Sequence, residues 1–194
     1  MTEPLIKLCR EMAGISDSEL ALIERYFKPV RLKRKQFLIT EGKQYDFIGF
    51  VSKGAIRHFT FRDGVEKTCN VNFENQFFTD FESFYHSTPT TNNSVALEDS
   101  VVLVLSKTNR DLLLAECPAF ERFARIMSEW AAQQAAERAA RLTWDRPEDR
   151  YLHLLEHEPD FVRRVPLKYL ANILGISAES LSRIRKRLAS PVFS

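Results

Sequence analysis

The sequence predicts an α+β protein: an N-terminal antiparallel β-roll, one long helix, and a small C-terminal module built on a helix-turn-helix. Three observations carry this. Between Val30 and Leu105, short β-branched and aromatic runs alternate with turn signals. From Pro118 to about Thr143, apolar side chains recur at spacings of three and four. From Leu167 to Leu188, LKYLANILGISAESLSRIRKRL sets two short amphipathic segments around a glycine. The implied divisions are residues 1–116, 117–145 and 146–194.

The elements follow in order. ISDSELALIERYF, Ile15 to Phe27, reads as a helix that Ser16 or Ser18 can cap, with Leu20, Ile23 and Phe27 on one face. LKRKQFLITEG is expected as one basic strand running to a glycine turn. FIGFVSKGAIRHFTF carries a Lys53-Gly54 turn, and FRDGVEK carries Asp63-Gly64, a two-residue hairpin signal. ALEDSVVLVLS is expected as the closing strand. SKTNRDLLLAEC is a short helix, and Pro118 suits the first turn of the long one.

In the long helix, Phe120, Phe123, Met127, Trp130 and Gln134 make a heptad-like stripe. Ala131, Ala135 and Ala139 form a strip that admits close helix approach. The N-terminal part of the stripe must lie on the roll. The remainder projects with polar flanks, so Phe123, Met127, Trp130 and Gln134 are expected at a two-helix dimer seam. Asp145-Arg146-Pro147 breaks the helix and marks a hinge. PEDRYLHLLEHEP adds a short helix.

In the last stretch Leu167, Leu170, Leu174, Ile176, Leu181 and Ile184 are apolar, Ala171 is small, Gly175 sits at the turn, and Ser177 can cap the second helix. On a helical wheel Leu181, Ile184 and Leu188 form a buried face. Glu179, Ser182, Arg183 and Lys186 lie opposite, where arginine can pair with guanine and glutamate can accept from cytosine. Ser177, Ser180, Arg185 and Arg187 flank them, placed for phosphates. Arg163, Arg164 and Lys168 precede the unit and suit the DNA backbone. A charged outer face is ordinarily just solvated. Its coincidence with the turn glycine, the small residue and the apolar set points to double-stranded DNA.

Charge distribution agrees. Between Phe161 and Ser190 stand seven Arg or Lys against Glu179 alone, a local balance of +6 in a chain whose total is +2, leaving about −4 elsewhere. No run of 18 apolar residues exists, so no membrane partner is expected. The N-terminus, MTEPLIKLCREMAG, lacks a signal-peptide layout. Cys9, Cys69 and Cys117, odd in number and widely spaced, argue against disulfides and clustered metal sites and suit a reducing cytoplasm.

No catalytic constellation emerges. His153-Leu-Leu-Glu-His157 matches a zinc-peptidase pattern, but Pro159 ends its helix and no third ligand follows. The roll has no H-x-H, and no nucleophile elbow, P-loop or dinucleotide fingerprint occurs. The chain is read as a non-enzyme without metal or cofactor.

A β-roll, a long connecting helix and a C-terminal helix-turn-helix together resemble the Crp/Fnr superfamily of bacterial transcription regulators over almost the full length. TDFESF followed by ALEDSVVLVL resembles a subgroup with divergent effector pockets. The resemblance implies a cyclic-nucleotide-binding-like roll (a double-stranded β-helix) and a homodimer joined along the long helix. It also implies a two-fold symmetric operator read by one helix per subunit, with RNA polymerase as a further partner. Glu179 and Arg183 match the family's base-reading pair, whereas Ala178 stands where many members carry an arginine.

By the same resemblance the effector pocket falls on Phe78, Thr79, Asp80, Glu82, Ser83, Thr90 and Thr91. Thr79 takes the place of the family's glycine and Asp80 that of its ribose-binding glutamate. The phosphate-binding arginine would fall near Thr90 or Thr91, yet no Arg or Lys lies between Lys67 and Lys107. A buried anionic phosphate without a cation is costly, so cyclic AMP and GMP are not expected as effectors. The cysteine spacing excludes the iron–sulfur branch, and a haem branch would have only His58 and His86 in the roll. Phe73, Phe77, Phe78, Phe81, Phe84 and Tyr85 read mainly as core. The effector stays unidentified. Only Ala189 to Ser194 follow the second helix, so a C-terminal wing is expected to be missing or minimal. The alternative from another class is a ligand-binding or protein-interaction module whose helix-turn-helix no longer reads DNA.

Overall fold

A computed structural model describes residues 2–189 of the 194. The chain opens with α1 (Glu3–Ala13) and α2 (Asp17–Tyr26). The roll contains β1 (Lys28–Leu32), β2 (Phe37–Ile39), β3 (Phe47–Lys53), β4 (Ile56–Arg62), β5 (Val65–Asn72), β6 (Phe77–Phe78), α3 (Phe81–His86), β7 (Asn93–Ala96) and β8 (Ser100–Ser106). The helices α4 (Lys107–Glu116), α5 (Pro118–Trp144), α6 (Pro147–His157), α7 (Pro159–Arg164), α8 (Leu167–Ile173) and α9 (Ala178–Ala189) follow.

The strands form two four-stranded antiparallel sheets, ordered β1-β8-β3-β6 and β2-β7-β4-β5. Leu32, Phe47, Val51, Phe78 and Val102 from the first sheet meet Ile39, Ile56 and Ala96 from the second, so the two sheets close face to face on an apolar layer. A second core lies outside the first sheet. There Leu5, Ile23, Leu113, Phe120 and Phe123 from four helices, with Phe27 just after α2, pack on Phe50, Leu103 and Leu105. A third core joins the C-terminal helices to Ala55 and Val71 of the roll.

Several expected local features are present. The Ser16 N–H donates to Glu19 Oε2 at 2.9 Å, which closes a capping box and fixes the start of α2 at Ser16. Asp63 and Gly64 both take positive φ (52° and 73°), the requirement of a type I′ hairpin, between β4 and β5.

Four expectations change. The first helix, α1, was not anticipated, although Leu5, Cys9 and Ala13 at i, i+4, i+8 are buried. The expected single strand LKRKQFLITEG is two strands in different sheets. Lys35 adopts φ 70° in the intervening turn, and Gln36 N–H bonds the Lys33 carbonyl at 2.9 Å. ALEDSVVLVLS likewise divides between β7 and β8, with Asp99 in the corner accepting from Arg34 N–H at 2.9 Å. Phe123 is only 1% exposed and packs on Phe77 and Phe120 of its own chain, so it has no surface left for a dimer seam.

Beyond Phe123 the long helix leaves its core. Met127 and Gln134 are half-buried, Trp130 is 46% exposed, and Trp144 is 83% exposed. Among the described residues no helix is long and apolar enough to cross a membrane.

Candidate nucleic-acid interface and effector cavity

The C-terminal module is built around the turn between α8 and α9. Gly175 sits at φ 70°, a conformation that a side chain would strain, and this lets Ile176 N–H reach back to the Ala171 carbonyl at 3.0 Å. Ser177 Oγ accepts from Ser180 N–H at 3.1 Å and caps α9. Leu170, Ala171, Leu174, Leu181 and Ile184 are buried with Tyr151, Phe161 and Val165. Leu188, expected on that face, is 39% exposed because the last turn of α9 runs past the core. Arg150 of α6 donates to the carbonyls of Asp145 and Leu174, both at 2.7 Å, so the end of α5 is tied to the helix-turn-helix turn.

The outer face of α9 presents Glu179, Ser182, Arg183, Arg185, Lys186 and Arg187, all exposed. Arg183 Nη2 lies 3.5 Å from Ser180 Oγ. The helix-end amide of Glu179, the Ser177 hydroxyl and the Arg183 charge hold the Glu179 carboxyl below its ordinary value, so it is a fixed acceptor at neutral pH. Arg187 is ion-paired with Glu148 of α6. Residues Ser190 to Ser194, where a wing would stand, lie outside the described residues.

The basic residues before the turn divide sharply. Arg163 is exposed and, among the described residues, pairs only with Asp160, at 2.9 Å. Lys168 is exposed, with Glu66 of β5 at 4.0 Å. Arg164 is not placed for a phosphate. Its side chain, 23% exposed, pairs with Glu74 at 2.8 and 3.0 Å and with Glu98, and lies 4.4 Å over the Phe73 ring. It fastens the module to the roll.

Other contacts of this seam escaped the sequence. Arg57, 5% exposed, is sandwiched between the rings of Phe59 and Tyr169, each 4.1 Å away, and donates to Glu66 and Thr68. Asn172 Oδ1 accepts from Thr68 N–H at 3.1 Å. The rings of Phe73 and Phe161 meet edge-on at 5.5 Å. Arg57, a cation inside the aromatic-rich strand IRHFTF, is the sequence signal for this seam.

Inside the roll is a cavity of about 250 Å³. Phe78, Thr79 and Asp80 line it, as expected. Glu82, Ser83, Thr90 and Thr91 do not. Glu82 and Thr91 are exposed, and the Ser83 hydroxyl is occupied by Thr88 O and Tyr45 N–H. Thr90 is buried and donates to Asp80. Their places are taken by Tyr45, His58, Asn70, Asn72 and Asn92.

Burial pushes the Asp80 carboxyl up, but hydrogen bonds from Thr90, Asn92 and the Ser83 amide outweigh it and leave the group below its ordinary value. Burial also pushes His58 down to about 4, so its ring is neutral, with Nδ1 2.8 Å from Ser94 Oγ. No Lys or Arg lines the cavity. Beside it, Arg138 of α5 donates to Asn70 Oδ1 at 2.9 Å. The lining therefore offers amides, rings and one carboxylate, and no countercharge for a phosphate.

His153 and His157 of α6 stack with ring centroids 4.1 Å apart, but among the described residues no group of three metal-ligating side chains forms.

Residues 29–116 match the cyclic nucleotide-binding domain family. No curated protein sequence matches the chain. Among solved structures it is similar to CLP, the c-di-GMP responsive global regulator of Xanthomonas campestris, at 17% identity and TM-score 0.70, covering 89% of this chain and 91% of that one. A CooA mutant from Carboxydothermus hydrogenoformans gives 16% identity and TM-score 0.70, covering 92% and 82%. The catabolite activator protein of Thermus thermophilus gives 21% and 0.57, covering 91% and 84%. At these identities the shared property is the fold: the roll, the long helix and the C-terminal helical region.

Proposed function

Taking as premise a cyclic nucleotide-binding domain on the fold of Crp/Fnr regulators, we propose that this chain is a homodimeric, sequence-specific DNA-binding transcription regulator. Residues 1–116 act as the sensor, 117–145 as the dimer helix, and 146–194 as the DNA module. The observation that carries the reading is the outer face of α9, where Glu179, Ser182, Arg183 and Lys186 stand exposed over a buried Leu181–Ile184 face. Those four read base edges. Ser177, Ser180, Arg185 and Arg187 serve the phosphates beside them, and Arg163 and Lys168 serve more distant ones.

Dimerisation uses Met127, Trp130 and Gln134, where α5 leaves its own core. Two such helices hold two modules, and recognition helices about 34 Å apart enter successive major grooves on one DNA face. A condition sensed at the roll resets that spacing. Cyclic AMP is not the signal, because no Lys or Arg among the residues lining the cavity offers a phosphate its countercharge. The protein works in the cytoplasm, with RNA polymerase as its further partner.

The test is selection of bound fragments from a sheared genomic library by the purified chain at near-physiological salt. Enrichment of a two-fold symmetric site is the expected result. If neither the protein alone nor the protein with cell extract enriches a motif, the helix-turn-helix does not read DNA.

A further inference from the structure

One motif has no part in DNA binding: His153-Leu-Leu-Glu-His157 on α6. The two histidines are four positions apart, so their rings share a face on successive turns. The ring planes are 13° apart, with centroids at 4.1 Å. His157 Nδ1 lies 3.0 Å from the His153 carbonyl oxygen. A carbonyl only accepts, so Nδ1 carries the proton, and in the neutral ring the lone pair is on Nε2. Metal-binding histidines are commonly held this way, one nitrogen donating to a backbone carbonyl while the other ligates. Among the described residues the His153 ring makes no hydrogen bond, and its close neighbour is His157. Partial burial, then Arg141 and His157, hold His153 below its ordinary value, so it is an uncharged ligand at neutral pH. His157 is exposed and His153 half-buried, so an ion can reach both.

We propose that His153 and His157 chelate one divalent nickel or copper ion on the surface of α6. Imidazole suits both metals, and two such nitrogens with water oxygens make the mixed tetragonal set that they favour. A closed structural zinc centre needs four ligands and a peptidase centre three, and among the described residues no third protein ligand joins these two. The surroundings suit a cation. Glu156 Oε2 lies 3.9 Å from His157 Nδ1, and Glu158 is exposed at the helix end. Arg141, the cation that acts on His153, has Asp145 3.9 Å away. The ion clasps two successive turns of α6. It binds only where the helix holds the rings a turn apart, so it stabilises that helix by mass action. The same helix carries Arg150, which binds the carbonyls of Asp145 and Leu174, and Glu148, which pairs with Arg187 of α9. A metal on α6 therefore stiffens the joint between the long helix and α9.

Equilibrium dialysis of the untagged full chain against Ni²⁺ tests this. Nickel is the probe because copper can oxidise Cys69, the exposed thiol. The expected result is one ion per chain. His153→Gln and His157→Gln should each weaken binding about tenfold or more. His86→Gln, which alters an exposed histidine of α3, should change nothing. Amide hydrogen exchange then reads the clasp itself. Nickel should slow exchange in α6 severalfold in the unaltered chain and in His86→Gln, and leave it unchanged in His153→Gln and His157→Gln. Absence of uptake, or uptake at full strength in both α6 variants, overturns the proposal. So does uptake without slower exchange in α6, because an ion held by both rings must restrain the turn between them. The experiment involves no DNA, so a failed operator selection leaves its result standing.

Discussion

The outer face of α9 and the seam beneath α8 are both rich in arginine, and they are put to opposite ends. Arg183 and Arg185 stand in solvent on a helix whose apolar side is buried. Arg57 and Arg164 are drawn against aromatic rings and carboxylates of the roll. Positive charge supplies attraction to a polyanion only where it remains unneutralised and reachable. The +6 balance of residues 161–190 thus overstates the charge facing DNA, because Arg164 is already matched by Glu74 and Glu98.

The sharpest way to break this division is Arg57→Ala. Arg57 is the most buried of these cations, and its removal leaves Glu66 half-buried with only distant Lys168, while Tyr169 loses its cation. Removing one member of a buried pair costs about 3 kcal/mol or more. Urea unfolding should show that loss as a lowered midpoint. A loss below about 1 kcal/mol would mean that the seam is solvated and that the two arginine populations do not differ.

Arg183→Ala should do the reverse. Stability should change by less than about 0.5 kcal/mol, as for an exposed site. Discrimination between the selected operator and scrambled DNA should fall by about 1–3 kcal/mol, measured by competition binding at fixed salt. Equal weakening on both DNAs would move Arg183 from reading bases to contacting phosphates.

Arg164→Ala tests which side of the division that residue belongs on. Its partners are partly exposed, so the expected loss is roughly 1–2 kcal/mol in docking of the module, seen as exchange in α7 and α8. The salt dependence of DNA binding should stay as it is. A slope reduced by about one would restore the phosphate role that the sequence suggested.

The difference between the regions also marks how far the sequence could be read. The apolar positions of α8 and α9, the turn at Gly175 and the cap at Ser177 follow from local rules, and each stands where those rules put it. So do the Asp63-Gly64 hairpin and the start of α2. Arg164 was misassigned because its partners lie 90 and 66 positions away, and no local pattern carries that distance. The cavity lining was half missed for a related reason. Asn70 and Asn72 come from β5, outside the segment that the family resemblance picks out, and the bulge at Cys69 has no glycine or proline to announce it. The Lys33–Gln36 turn hid in the same way, in a basic run with a lysine at positive φ. Phe123 shares one stripe with Trp130, and periodicity alone cannot say where a helix stops serving its own core.

Arg163 gives the smallest effect and the cleanest control. It adjoins Arg164 in sequence, yet it is exposed and, among the described residues, held only by Asp160 within its own helix, a pair worth a few tenths of a kcal/mol. Arg163→Ala should leave the urea midpoint and the exchange of α8 in place. It should weaken binding to operator and to scrambled DNA by the same modest factor and lower the salt slope by about one. Such a pattern beside an Arg164→Ala protein with an unchanged slope would show two adjacent arginines separated by one geometric fact. One faces the carboxylates of the roll, and the other faces outward. Loss of discrimination in Arg163→Ala would instead place a base contact on α7 and extend the reading surface beyond α9.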